Sequence, residues 1–402
     1  MFASLHVPNY RRYFSGALVS NIGTWVSRTA QDWLVLRVLT DSSATALGVV
    51  TTMQFIWIPL LSAITGTTAD RFSKRRILLV TQSVMLLTSA LLAGLTLSGH
   101  VRLWHVYALA SVQGITMAFD GPARMTFVSE VVPPRLVMNA ISLNSASFNG
   151  GRLIGPAVGG LLIAAFSPGI GLLVNTVSFV AVLAALLLLD PSELSPAPPR
   201  TGRGGVREGI VYLRGRPDLL LVMAVVVALS LFAMNFSVYN ALMATAEFGK
   251  GAAEFGLLGS VMAVGSLGGS LLSARRTVPR LRDLLVAGAG MSLCLVAMAL
   301  APSYLLYAAV LAPAGFCALT GMTTANSTVQ LGTDPAMRGR VMALYMALNQ
   351  GSLPLGALVV GFIADHLGVR YALGIGAVVT ACAFGAASLV NRRHGRSPVR
   401  QP

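Results

Sequence analysis

Long apolar stretches separated by short polar ones recur from one end of the chain to the other. They fall at 13–36, 45–68, 77–99, 103–119, 136–165 and 169–189. After a polar gap they resume at 219–246, 255–274, 284–301, 303–333, 341–364 and 371–391. Most of them hold no Asp, Glu, Lys or Arg, and each is long enough, or nearly so, to cross the ~30 Å hydrocarbon core as a helix. The apolar run over 284–333 is too long for one crossing. It divides at Ala301-Pro302-Ser303, because proline disfavours continuing a helix. The pattern predicts an all-α membrane protein with twelve transmembrane helices in two six-helix bundles. Residues 1–189 form the N-terminal bundle, 190–218 a cytoplasmic linker, 219–391 the C-terminal bundle and 392–402 a cytoplasmic tail.

Composition agrees. Of 402 residues, 55% are hydrophobic and only 11% charged, with a mean hydropathy of +0.73. Soluble domains run near ~25% charged, so an ordinary soluble enzyme is excluded. Cys294, Cys317 and Cys382 are far apart, lie in apolar runs and form no CxxC pair, which argues against a disulfide framework or a zinc site. The net charge of +15 suggests nucleic acid until the charges are placed. Twenty-two of the 29 basic residues lie in segments on the same side as the termini, among them Arg71, Lys74, Arg75, Arg76, Arg207 and Arg340. Four (Arg37, Arg102, Lys250, Arg370) lie opposite, and Arg28, Arg124 and Arg152 fall within or at the edge of spans. This asymmetry predicts a multi-pass plasma-membrane protein with both termini cytoplasmic and its basic loops facing anionic lipid. No nucleic-acid partner is expected. The segment before Tyr13 is too short and polar for a cleavable signal, so the first span is expected to act as an uncleaved one.

The linker is rich in Pro and Gly (Pro191, Pro196, Pro198, Pro199, Gly202, Gly204, Gly205). Val206, Ile210, Val211 and Leu213 with interspersed Arg admit one short interfacial helix there, beside the plainer reading of a solvated connection. The two halves also resemble each other. A shift of 201 residues lays Gly114 on Gly315, Pro134 on Pro335, Gly150 on Gly351, Gly155 on Gly356 and Gly160 on Gly361. Duplicated bundles around a midplane cavity are how secondary transporters build alternating access.

Between spans 2 and 3 stands Gly66-Thr-Thr-Ala-Asp70-Arg71-Phe-Ser-Lys74-Arg75-Arg76. It resembles the loop motif G-x-L-a-D-r-x-G-r-k-x-x-l of the major facilitator superfamily, with Thr68 and Ser73 departing from the pattern. The resemblance implies a gating loop in which Asp70 caps a neighbouring helix and pairs with Arg71. Span 5 carries Gly151-Arg-Leu-Ile-Gly155-Pro156-Ala-Val-Gly159-Gly160, similar to the G-x-x-x-G-P-x-x-G-G motif of antiporters in that superfamily. Its glycines leave one helix face bare for close backbone approach, and Pro156 bends the helix. Thr29-Ala-Gln-Asp-Trp33-Leu, Gly121-Pro-Ala-Arg124 and Arg338-Gly-Arg340-Val-Met-Ala resemble the drug:proton antiporter branch that includes enterobactin and macrolide exporters. One departure matters. The span-4 motif R-x-x-Q-G has Gln113 and Gly114 here but Ala110 in place of the arginine, so a coupling role for that arginine does not carry over. Gly361-Phe-Ile-Ala-Asp365 mimics the loop motif but lacks its basic run and falls on the outside, so it reads as the end of span 11.

Charges inside a bilayer are costly and mark function by default. Arg28 and Asp32 stand i, i+4 on span 1, as do Asp120 and Arg124 on span 4. Arg152 has no acid within two turns on its own helix, so its counter-charge is expected from elsewhere, first of all from span 1. The competing reading makes these residues structural ion pairs of the first bundle. Asp32 and Asp120 are the candidates for proton coupling, with Asp32 favoured. Asn21, Arg28, Gln54, Gln113, Asn149, Arg152, Asn235, Asn326 and Asn349 are the candidates for lining a substrate cavity, charged on one wall and neutral on the other.

No G-x-x-x-x-G-K-[ST] or HExxH occurs, and the histidines sit at span ends or in loops. No enzyme, metal site or cofactor is therefore expected. The sequence points to a proton-coupled exporter of an amphipathic small molecule, drug-like or siderophore-like, working as a monomer in the lipid bilayer. The alternatives are an uptake permease of the same fold and, from another class, a transporter-fold sensor or scaffold. The short loops weigh against the second.

Overall fold

A computed structural model describes residues 2–195, 206–274, 281–335 and 337–394. Each of the twelve apolar stretches is helical, and no strand occurs among the described residues. The helices of the first half are α1 (Pro8–Trp33, continued by a π-helical turn Leu34–Leu39), α2 (Ala44–Phe55), α3 (Trp57–Arg71), α4 (Lys74–Leu97), α5 (Leu103–Val131), α6 (Val137–Ala165) and α7 (Pro168–Leu187). A short helix α8 (Val206–Arg214) follows. The second half has α9 (Pro217–Ala228), α10 (Phe236–Leu242), α11 (Ala252–Ala274), α12 (Leu281–Ala299), α13 (Tyr304–Gly332), α14 (Arg338–Leu367) and α15 (Val369–His394). Span 2 is thus α2 with α3, and span 7 is α9 with α10.

Local chemistry sets the boundaries. Pro8, Pro168 and Pro217 start helices where a missing N–H costs nothing. The long run over 284–333 breaks where expected, and the Ser303 hydroxyl accepts the Leu306 N–H to open α13. Gly368, at φ +98°, reverses α14 into α15 through a single residue. Pro59 cannot donate to the Phe55 carbonyl, and span 2 breaks there into α2 and α3.

Among the described residues, nine helical segments are long and apolar enough by themselves to cross a membrane. The spans that fall short are α1, α5 and α6, which carry Arg28 with Asp32, Asp120 with Arg124, and Arg152. Large side chains such as Leu87, Val177, Leu293 and Leu305 are more than 60% exposed on the outer helix faces, a surface suited to lipid and not to water.

Two compact units result. The first comprises Met1–Ser42, Ile56–Thr201 and Lys250–Ser260; the second comprises Ser43–Phe55, Gly202–Gly249 and Val261–Pro402. The boundary inside span 2 coincides with its break, so α2 packs in the second unit while α3 packs in the first.

In the first unit, Tyr10, Tyr13, Leu78, Phe127, Val128 and Leu186 form a core joining α1, α4, α5 and α7. Basic residues of this end are tied to helix termini. Arg75 donates to the carbonyls of Leu186 and Leu187, and Arg12 to that of Leu188, which satisfies the last turn of α7. Lys74 Nζ stands 3.3 Å from the buried Glu130, an ion pair without the alignment of a hydrogen bond. In the second unit, α8 packs on α14, with an Arg340–Glu208 ion pair at 2.8 Å. The linker stretch 206–214 is therefore a docked amphipathic helix; residues 196–205 lie outside the described residues.

Candidate functional site

The site of the first unit starts from the small-residue face of α6. A Cβ placed on Gly151 would meet the Asn21 backbone at 2.9 Å, and one on Gly159 the Val26 carbonyl at 3.0 Å. At Gly155 it would collide with Trp25 Cβ. These glycines bring α6 onto α1 along the motif read from the sequence. Pro156 and Gly160 use the adjoining face, against Ala252, Gly256 and Gly259 of α11. Asn21 donates to the Ser147 hydroxyl across the α1–α6 contact at 2.9 Å. Asn149 instead donates to the Ser145 carbonyl of its own helix.

This close approach places Trp25 beside two cations. The guanidinium carbons of Arg28 and Arg152 lie 5.7 and 5.9 Å from its ring centroid. Span 1 thus meets Arg152 with an aromatic face, where the sequence reading expected a carboxylate. Asp32, one turn from Arg28, is 7% exposed, and Arg28 is its charged neighbour. Its carboxylate accepts no hydrogen bond and joins no salt bridge among the described residues.

Asp120 is the opposite case. It accepts from Thr81 at 2.8 Å and Gln82 at 2.7 Å on α4, and from Arg124 at 2.8 Å on its own helix. A carboxylate with three donors is a structural clamp between α4 and α5. Gln113 reaches Thr88 of α4 at 3.5 Å.

The remaining polar candidates belong to the second unit. Asn326 and Asn349 flank the Tyr345 hydroxyl, forming a neutral cluster on α13 and α14. Gln54 lies near the end of α2. Asn235 is buried, and its amide donates to the carbonyls of Leu231 and Ser230, satisfying the break between α9 and α10. The NH2 of that amide is thus engaged by the backbone of its own span.

In the loop after span 2, Arg71 is exposed and Gly66 faces open space. The Asp70 side chain lies outside the described ones, so the latch read for it is not tested by contacts. Sequence reasoning missed another latch. Asp365, near the end of α14, accepts from the Ala44 N–H at 2.6 Å, the Thr45 N–H at 2.8 Å and the Ser43 hydroxyl at 3.0 Å. The carboxylate thereby caps α2, whose first N–H groups would otherwise lack acceptors. Thr52 adds a 2.8 Å bond to the Pro354 carbonyl, and Gly48 and Gly361 allow the backbones to approach. The signal was the Asp at the end of the second loop-like motif, but nothing local names its partner 321 residues away. Asp365→Ala should loosen α2 from α14. A cap of this kind is worth about 0.5–2 kcal/mol, so a Thr52→Cys probe, buried in the native background, should react with maleimide several-fold faster. An unchanged rate would mean that the carboxylate does not hold the helix.

No cluster of His, Cys, Asp or Glu suited to a metal occurs among the described residues. The fold is that of known transporters. It matches a bacterial homologue of the human lysosomal transporter Spinster, in an inward-facing and unoccupied conformation, with a TM-score of 0.73 over 98% of this chain and 99% of that one at 15% identity. It matches a D-xylose–proton symporter with a TM-score of 0.72 over 95% and 97% of the two chains at 13% identity. In sequence, the chain is 24% identical to the staphyloferrin A transporter of Staphylococcus aureus, over 95% of this chain and 96% of that protein. It is 26% identical to the multidrug efflux pump Tap of Mycolicibacterium fortuitum, over 88% of each. The family model described as transmembrane secretion effector matches residues 1–396. From end to end, then, the chain is a secondary transporter of the major facilitator superfamily and belongs to its transmembrane secretion effector family.

Proposed function

We propose that this transporter exports an amphipathic small molecule in exchange for protons, with Asp32 as the coupling carboxylate. The observation that carries this reading is the contrast between the two acids of spans 1 and 4. Asp120 is held by three donors, whereas Asp32 is buried beside Arg28 and accepts no hydrogen bond among the described residues. A coupling acid has to bind and release a proton as its surroundings change, and a nearby guanidinium that approaches or withdraws is sufficient leverage. The glycine face of α6, similar to that of antiporters, supports export over uptake. So do the relatives named for siderophore transport and multidrug efflux. The charged groups of α1 and α6 supply the binding surface of the first unit, and the protein works as a monomer in the plasma membrane.

The test is transport into everted vesicles with a panel of dyes, antibiotics and siderophores, with and without an imposed proton gradient. Gradient-dependent accumulation is expected. Accumulation that ignores the gradient would remove the antiport reading, and accumulation only in right-side-out vesicles would favour an uptake permease.

Orientation follows the basic residues, with both termini cytoplasmic. A cysteine at the exposed Ser195 should resist membrane-impermeant thiol reagents in intact cells, while one at the exposed Gly251 should label. Labelling at Ser195→Cys from outside would reverse the topology.

A further inference from the structure

Trp25 and its neighbours form an aromatic and cationic surface on α1 and α6. Besides the two guanidinium groups on its ring, Trp25 meets Phe148 edge-on at 6.0 Å, and Phe148 is about half exposed. Two cations on one indole are a like-charge arrangement, and Arg28 is the charge that Arg152 faces. The ring's attraction offsets only part of the cost of taking a guanidinium out of water. Arginine cannot shed that cost by deprotonating. Among the described residues Arg152 makes no hydrogen bond or ion pair, and none of them supplies an acceptor for its fork of donors. Asp32 is the carboxylate that interacts with Arg28, and Arg28, Arg152 and Asp32 together carry one positive charge.

A half-buried guanidinium without an acceptor, beside a flat aromatic surface, matches one ligand chemistry. The anionic group of the ligand receives two parallel N–H bonds from the arginine, and its ring or chain lies on Trp25 and Phe148. A cationic amphipath could use the same aromatic surface only by displacing guanidinium groups from it and standing beside like charge.

We propose that the substrates of this transporter are amphipathic anions, and that a carboxylate-type group binds to Arg152 beside Arg28 over the Trp25 ring. This assignment rests on the exporter reading for its physiological meaning, but binding tests it independently of transport. Fluorescein and rhodamine 6G share a xanthene ring system and carry opposite charge at neutral pH. Their binding to the purified full-length protein in detergent is read by fluorescence anisotropy. Fluorescein should bind at least tenfold more tightly. Arg152→Gln should weaken it by about 10- to 100-fold, the range of a charge-assisted hydrogen bond, and leave rhodamine 6G unchanged or improved. Arg152→Lys, which keeps the charge but loses the fork, should fall between.

Equal or tighter binding of rhodamine 6G to the wild-type protein would overturn the proposal, whether or not the variants fold. So would the absence of fluorescein binding, or an equal loss of both dyes in Arg152→Gln. Fluorescein that binds through Arg152 but is not accumulated by everted vesicles would support the anion site and count against proton-driven export.

Discussion

Asp32→Asn is expected to abolish accumulation against a gradient while leaving downhill exchange of substrate measurable. The substitution keeps the shape of the side chain and removes its ability to exchange a proton. Asp32 accepts no hydrogen bond among the described residues, and what depends on its charge is the offset of the Arg28 charge beside it. Thermal stability should therefore fall less than in Asp120→Asn, where a hydrogen-bonded network is also lost. Asp120→Asn should behave the other way. It leaves Thr81, Gln82 and Arg124 with a weaker acceptor in a buried place, and breaking such a network costs roughly 3–5 kcal/mol. Low yield with residual gradient-driven transport is the expected outcome there. Uphill pumping by Asp32→Asn, with none by a well-folded Asp120→Asn, would move the coupling role to the inner acid.

Gly155→Leu should be the most damaging single change on the α6 face. Even a methyl group at Gly155 would collide with Trp25 Cβ and come within 3.2 Å of the Ile22 carbonyl. Leucine forces α6 away from α1, and overpacking of this kind costs typically 1–3 kcal/mol. It also displaces Trp25, on which Arg28 and Arg152 both lie, so transport should be lost along with stability. Gly150 supplies the control, since a Cβ there meets nothing within 4 Å. Gly150→Leu should keep the thermal stability of the wild-type protein. Equal effects of the two substitutions would mean that helix propensity, and not the α1–α6 contact, governs the response.

The small-residue face was legible because G-x-x-x-G-P-x-x-G-G is a periodic local pattern; the partner of Gly151, Gly155 and Gly159 lay within the same half, whereas that of Pro156 and Gly160, on α11, did not. Arg152 and Asp120 show where local reading stops. The sequence places a charge in a span and states its cost, but not what answers that cost. For Asp120 the answer is an amide and a hydroxyl on α4 together with Arg124. For Arg152 it is an indole on α1, from a residue type that no charge-pairing argument would select. Asn235 shows a related limit. An amide in an apolar run reads as a ligand group, but the break between α9 and α10 frees carbonyls that claim it first.

What the sequence determined by itself was the set of spans, because the bilayer imposes one length and one way of satisfying the backbone on every crossing segment. It also determined the division of the long run at Ala301-Pro302-Ser303, since proline acts through its own ring and its missing N–H. What only the tertiary structure decided was which helix each segment joins. Span 2 reads as one apolar run of the first half, yet α2 packs with α14 in the second unit, capped by Asp365. Such pairings depend on donors and acceptors meeting across hundreds of residues. Periodicity and composition describe a helix's own faces and carry no record of the partner that covers them.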